Sequence, residues 1–203
     1  MVLAGCLIEK SIEPELKKLG VKDSKQLTAK RREVLAEEIK KISKFHITLT
    51  HPYEIDQRTA MGVNLNKVEA IKAAEIINNL NKGNRRIKVV LDCPSNNIKA
   101  WRDYLLTHIN NLANLEIICE WKADVNHLAV SAASILAKTT RDFEIEKIKK
   151  KIGIDFGSGY PADPLTIDFL DKYFAKFRKD GIFRETWGTV SDHIKKKEQK
   201  KLF

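Results

Sequence analysis

Hydrophobic and polar positions alternate along this chain in short blocks that switch between a period of two and a helical period. Met1-Val2-Leu3-Ala4-Gly5-Cys6-Leu7-Ile8 is a short apolar run that meets charge at Glu9-Lys10 and reads as a β-strand. Asp23-Ser24-Lys25-Gln26-Leu27-Thr28 reads as a turn into a helix capped near Thr28, with Leu35, Ile39 and Ile42 on one face. Phe45 to Thr50 alternates as a half-buried strand should, and a polar loop follows. A helix begins near Asn64 with Leu65, Val68, Ile76 and Leu80 on its apolar side. The polar stretch 81–86 breaks that pattern before a compact strand, Ile87 to Leu91, which ends in Asp92.

Pro94 and Ser95 turn the chain into a helix aligning Ile98, Trp101, Leu105 and Leu112. Leu115, Ile117, Cys119 and Trp121 alternate along a further strand that ends at Lys122-Ala123-Asp124. A long helical pattern runs from about Leu128 to Lys151, and a glycine-containing loop, Gly153 to Pro164, precedes a helix carrying Leu170, Tyr173 and Phe177. The lysine-heavy tail from Thr189 to Phe203 predicts a fraying helix. Strands separated by helices predict an α/β fold built around one mixed sheet. The expected division is a core over 1–152, with a loop and C-terminal helices of the same domain over 153–203.

Composition narrows the class. Hydrophobic residues form 43% of the 203 and charged residues 32%, a folded, non-membrane balance with no run of the roughly 20 apolar residues that a span requires. The opening apolar run has no basic residue ahead of it, which makes it a poor signal peptide. Cys6, Cys93 and Cys119 are odd in number, far apart and set in apolar surroundings. That pattern suits buried thiols in a reducing compartment, so a cytoplasmic location is expected. Lys and Arg number 37 against 27 Asp and Glu, a net charge of +10. Such a charge permits a nucleic-acid partner and equally fits a solubilising surface.

Two strands end in or beside an aspartate, Asp92 and Asp124. Strand ends hold ligands in open α/β sheets, and hard carboxylate oxygens suit magnesium or manganese. An acidic pocket in a basic protein also matches phosphodiester hydrolysis. Taken alone, an aspartate at a strand end is more often a turn or cap residue.

The blocks around these acids carry more weight. Lys122-Ala123-Asp124 is followed by Val130-Ser131-Ala132-Ala133-Ser134-Ile135-Leu136-Ala137-Lys138-Thr139-Thr140-Arg141-Asp142. Gly157-Ser158-Gly159-Tyr160-Pro161-Ala162-Asp163-Pro164 comes next, and Val21-Lys22-Asp23-Ser24-Lys25-Gln26-Leu27 stands upstream. In this order the three blocks resemble type 2 ribonuclease H, in a form closer to archaeal members. The resemblance implies a ribonuclease H-like sheet flanked by helices, and a monomer that cuts the RNA strand of RNA–DNA hybrids. Single ribonucleotides in duplex DNA would be substrates too, with two magnesium or manganese ions as cofactors. It implies metal-binding roles for Asp92 and Asp124, the third and fourth of the family's acids. Tyr160 is expected against the sugar beside the ribonucleotide, and Lys22, Lys25, Lys138 and Arg141 are expected on substrate phosphates. Asp142 is read as a partner for a neighbouring cation, Ser131 and Ser134 as small residues that allow close helix packing, and the histidines as adding little.

The family's first strand ends in Asp-Glu and runs into a Gly-Arg-Gly turn, and neither motif occurs in the chain. The resemblance therefore implies a first strand lying ahead of Met1, and little activity for these residues alone. The alternative reading is a catalytically inactive nucleic-acid-binding protein. The retention of Asp92, Asp124 and Tyr160 favours the enzyme.

Overall fold

The structure, a computed structural model, describes residues 1–83 and 85–199. Asn84 and the last four residues of the lysine-rich tail lie outside the described residues. Among the described residues four strands are present: β1 (Val2–Leu7), β2 (Lys44–Leu49), β3 (Ile87–Asp92) and β4 (Leu115–Glu120). The helices are α1 (Glu13–Leu19), α2 (Ala29–Ile42), α3 (Pro52–Ala60), α4 (Leu65–Leu80), α5 (Ile98–Leu106), α6 (Ala123–Asn126), α7 (Leu128–Ile152), α8 (Pro164–Phe177) and α9 (Gly188–Gln199). Among the described residues no helix is long and apolar enough to cross a membrane.

The α/β expectation holds, with both strand senses present, and the strands form two separate pairs. β1 runs antiparallel to β2, and β3 runs parallel to β4. The chain divides into two compact units. One comprises 2–49 and 65–140 and contains every strand. The other comprises Met1, 50–64 and 141–203.

In the strand-bearing unit, Thr28 caps α2 by accepting the backbone N–H of Arg31 at 3.2 Å. The helix then buries Leu35 and Ile39 against Leu16, Val21, Ile135 and Leu136. Ala4, Cys6 and Ile47 pack on this cluster from one face of the β1–β2 ribbon. The other face meets α4, where a β-carbon on Gly5 would lie 2.4 Å from Ile76 Cγ2. A second cluster gathers Ala70, Ala74, Ile77, Cys93, Trp101 and Leu105, with Leu3, Val89 and Ile117 packed on it.

β2 is half-buried as expected, but the buried and exposed positions are exchanged. Thr48 is 4% exposed, while Phe45 and Leu49 are 39% and 38% exposed. Leu3 pairs with Thr48 and Gly5 with His46, so Thr48 points to the α4 face. The polar loop expected after β2 is in fact α3, begun by Pro52 and burying only Ile55. α5 stops at Leu106, leaving Leu112 beyond it and 43% exposed.

The other unit is held by aromatic packing. Phe156, Phe169 and Phe177 form one cluster, joined by Ile145, Ile148 and Tyr173. Leu170, Phe174 and Val190 form another. His193, expected to lack a partner, is buried with its Nδ1 2.9 Å from Asp171 Oδ1. The Asp56 carboxylate accepts the backbone N–H groups of Glu185 and Thr186 at 2.8 and 3.1 Å, fixing the approach to α9.

The Thr48 hydroxyl is buried with no hydrogen-bond partner in the structure. A buried hydroxyl in that condition costs stability that a methyl group of similar size does not. Thr48→Val is expected to raise the unfolding free energy by about 1 kcal/mol, read from the urea midpoint.

Candidate active site

β3 and β4 are in register with Asp92 opposite Glu120, so both strands end at one level. Beyond Glu120 the chain turns through Trp121 and Lys122, and Lys122 takes a left-handed conformation at φ 56°. It is the one residue other than glycine with a positive φ among the described residues. The turn delivers the backbone N–H of Ala123 to Asp92 Oδ1 at 3.3 Å, tying the two strand ends together. Asp124 follows in the first turn of α6, so its carboxylate is presented by a helical turn and not by the strand. The expected strand end at 122–124 is corrected accordingly.

Asp124 is 5% exposed. Its backbone carbonyl accepts the Ser131 hydroxyl at 2.5 Å, which anchors the Asp124 turn to α7. Lys25 Nζ stands 3.8 Å from Asp124 Oδ2. Lys25 is set by its own turn, where Asp23 accepts its backbone N–H at 2.9 Å and the Ser24 hydroxyl meets that of Ser134 at 3.0 Å. Ser131 and Ser134 are therefore more than small packing residues, because both fasten loops that carry candidate site groups. The His127 ring adds a contact to Glu120 Oε1 at 3.0 Å. The sequence signal for these ties was already present in the serines of the central block, and only their partners were hidden.

Asp92 and Asp124 both line a cavity of about 430 Å³. Its walls include every residue of β1 and β3, with Ala129, Ala133 and Ala137 of α7 and Ile76 and Leu80 of α4. β1 pairs with β2 alone and β3 with β4 alone, so among the described residues each presents a strand edge without a ladder partner. Two carboxylates are hard-oxygen donors suited to a divalent cation. Among the described residues no group of three His, Cys, Asp or Glu is placed to hold a metal.

The cysteines are not chemical participants. Burial pushes the Cys6 thiol to about 12 and that of Cys119 to about 11, and it raises Cys93 as well. All three stay protonated at neutral pH, in keeping with the expectation of buried thiols.

Tyr160 and Arg141 come together in the unit containing 141–203. The Arg141 guanidinium carbon lies 3.9 Å from the centre of the Tyr160 ring, while its Nη2 donates to the Ser158 carbonyl at 2.6 Å. Arg141 also meets Asp142 at 3.2 Å, the cation partner expected for that acid. Tyr160 remains 43% exposed. Its loop is fixed by backbone contacts. Asp163 accepts the N–H groups of Ser158 at 2.7 Å and Leu165 at 3.0 Å, and Thr166 accepts that of Gly159 at 3.0 Å. Gly157 sits at φ +72°, and a β-carbon there would fall 2.4 Å from Asp163 Oδ2, so the turn requires glycine. Of the other expected cations, Lys22 is exposed, and Lys138 is half-buried on α7 one turn before Arg141.

The α/β fold thus brings Asp92 and Asp124 to one cavity in a chain of net charge +10. A family model described as Ribonuclease HII matches residues 1–190, and the chain belongs to the ribonuclease HII family of hydrolytic endoribonucleases. Ribonuclease HII of Methanocaldococcus jannaschii is 40% identical over 212 residues, covering 100% of this chain and 91% of that protein. Ribonuclease HII of Methanococcus maripaludis strain C5 is 39% identical, covering 100% of this chain and 84% of that protein. The crystal structure of ribonuclease H2 from Pyrococcus horikoshii superposes with a TM-score of 0.81 at 33% identity, covering 97% of this chain and 98% of that one. RNase HII in the PCNA complex from Archaeoglobus fulgidus gives 0.80 at 38% identity, covering 95% and 88%.

The hydrogen bonds from Ser158 hold the Asp163 carboxyl below its ordinary value of 3.8. Because the folded value is depressed, this tie is fully present above 3.8 and is lost as the pH falls below it. Corrected amide-exchange protection at Ser158 and Leu165 should therefore drop below that pH. Asp163→Ala should remove the same protection at pH 7.

Proposed function

We propose that this protein is an endonuclease that hydrolyses the RNA strand of RNA–DNA hybrids, including single ribonucleotides in duplex DNA, and leaves 5′-phosphate and 3′-hydroxyl ends. The observation that carries the proposal is the tie between the two strand ends, which brings Asp92 and the buried Asp124 to one cavity within the family's sequence blocks. Asp92 and Asp124 would hold magnesium or manganese, and a structural neighbour 17% identical, Bst-RNase HIII, has been solved in complex with Mn2+. Bound there, divalent ions supply activation of the attacking water and stabilisation of the leaving 3′-oxygen.

The chain's own residues have positioning roles. Ser131 and the Ala123 N–H hold the two acids without using up their remaining oxygens. Lys25, beside Asp124, and Lys22 and Lys138 contact phosphates of the backbone and fix register. Tyr160 packs on the sugar next to the ribonucleotide, with Arg141 stacked behind its ring. A family site of four acids needs two more carboxylates. The cavity between the unpaired edges of β1 and β3 has the apolar walls and strand length to seat an extended segment carrying them. That segment is the Asp-Glu strand and Gly-Arg-Gly turn of the resemblance, whose turn would recognise the 2′-hydroxyl.

The test uses duplex DNA with one embedded ribonucleotide, in magnesium and in manganese. The 203-residue chain alone is expected to cleave it weakly or not at all. The same chain carrying an Asp-Glu strand and Gly-Arg-Gly turn ahead of Met1 is expected to cleave it. Asp92→Asn in the extended form should lower the rate by more than about a hundredfold, beyond the loss of an outer-shell partner. No cleavage by the extended form would reject the enzyme and leave the nucleic-acid-binding reading.

A further inference from the structure

We infer that Trp121 is a contact platform for the nucleic acid, its indole face packing on a backbone sugar of the hybrid beside the acids. The inference rests on the ribonuclease reading above and adds a residue to it. Tryptophan loses most by facing water, and Trp101 in the same unit is 6% exposed, yet Trp121 is 57% exposed. The exposure does not serve its polar group. The indole N–H already donates to the Ser95 carbonyl at 2.9 Å, so the surface left in water is apolar and aromatic.

Its position gives that surface a purpose. Ser95 stands three residues after Asp92, and Trp121 three residues before Asp124. The ring therefore spans the turns that carry the two acids, alongside the Ala123 tie to Asp92. The left-handed Lys122 separates the two directions, with Asp124 turned into the protein and Trp121 left outside. Val125, 62% exposed, continues the apolar surface just past Asp124, and Lys122 places an exposed cation beside it.

A paired hybrid keeps its bases stacked inside the helix. What it offers to a flat apolar ring at its surface is the sugar face in the wide minor groove, bordered by phosphates. A tryptophan pinned at one edge and open on the remainder fits that target with little ordering cost, and the neighbouring lysine suits the phosphate border. Contact of this kind is indifferent to base sequence, as hydrolysis across many hybrid sequences requires.

The experiment measures binding of a fluorescein-labelled RNA–DNA hybrid in calcium by anisotropy, for the extended form described above and its Trp121→Phe and Trp121→Leu variants. Phenylalanine keeps a ring and loses the bond to Ser95, whereas leucine keeps apolar bulk without a ring. Trp121→Leu is expected to raise Kd by about five- to thirtyfold, the lower part of the range for aromatic stacking on nucleic acid. Trp121→Phe is expected to stay within about threefold, retaining most of that stacking. The slope of log Kd against log salt should not change in either, because no phosphate contact is removed. Unchanged binding by Trp121→Leu overturns the platform and assigns the exposed ring to another surface. Equal losses in both variants also overturn it, by tracing the effect to the Ser95 bond. An unsubstituted extended form that does not bind the hybrid overturns the ribonuclease reading and the platform together.

Discussion

Parallel pairing of β3 with β4 brings Asp92 level with Glu120, and the whole candidate site depends on what that register permits. Three residues, Trp121 to Ala123, separate the end of β4 at Glu120 from Asp124, and α7 begins at Leu128. Within that short path the chain has to reverse, return an N–H to Asp92 and bury a second carboxylate. The left-handed Lys122 is how the reversal is made. A side chain in that conformation costs about 1–2 kcal/mol, and it persists where the surroundings impose it. Here the Ala123 N–H on Asp92 and the Ser131 hydroxyl on the Asp124 carbonyl are the surroundings that do so. A slip of one residue in the register would move Asp92 to the opposite face and leave the Ala123 N–H without its partner.

The same logic explains how a nearly buried acid is kept within the strand-bearing unit. An isolated carboxylate at 5% exposure is expensive, and the chain answers with a cation 3.8 Å away. Lys25 itself is 81% exposed, so its attraction is screened by water and holds Asp124 only loosely. Position comes from backbone hydrogen bonds, and charge compensation comes from an exposed ammonium of the kind a divalent cation can replace. An acid fixed by an inflexible buried arginine pair would be held as firmly but would be less open to exchange.

Much of this was legible in the sequence where a local rule acts alone. The Thr28 cap, the apolar run that ends at Asp92 and the long α7 pattern each depend on neighbours within a few residues, and each is found where it was expected. The misreadings fall where distant parts of the chain decide. α3 is polar enough to pass for a loop because it buries a single residue, Ile55. β2 alternates as a half-buried strand, but packing against α4 buries Thr48 while Phe45 and Leu49 stay partly exposed. Trp121 continues the alternation of β4 in sequence, and only the bond to Ser95 reveals that the strand has already ended. The two acids and Tyr160 were marked by their blocks, while Ser131, Arg141 and Thr166 show their roles only through contacts made over seven to nineteen positions.

Both functional clusters are built by one device, each within its own unit. The Tyr160 loop is clamped through Asp163, Thr166 and the Arg141 bond to Ser158, all of them acting on backbone groups. The acids are clamped through the backbone of Ala123 and Asp124. In each case rigidity comes from main-chain hydrogen bonds, which lose little to solvent exchange once formed in a packed turn. The ring of Tyr160 is left 43% exposed, and the Ser131 tie uses the Asp124 carbonyl and not its carboxylate. A site that must accept a large charged polymer needs that arrangement, because every group used for internal support is one fewer for the substrate. The cavity along β1 and β3 is the part of the fold where such support is thinnest. Six-residue edges of both strands line it without ladder partners, and backbone groups at sheet edges favour pairing over exposure in an apolar space. An extended segment seated there would complete the hydrogen bonding of two strands at once.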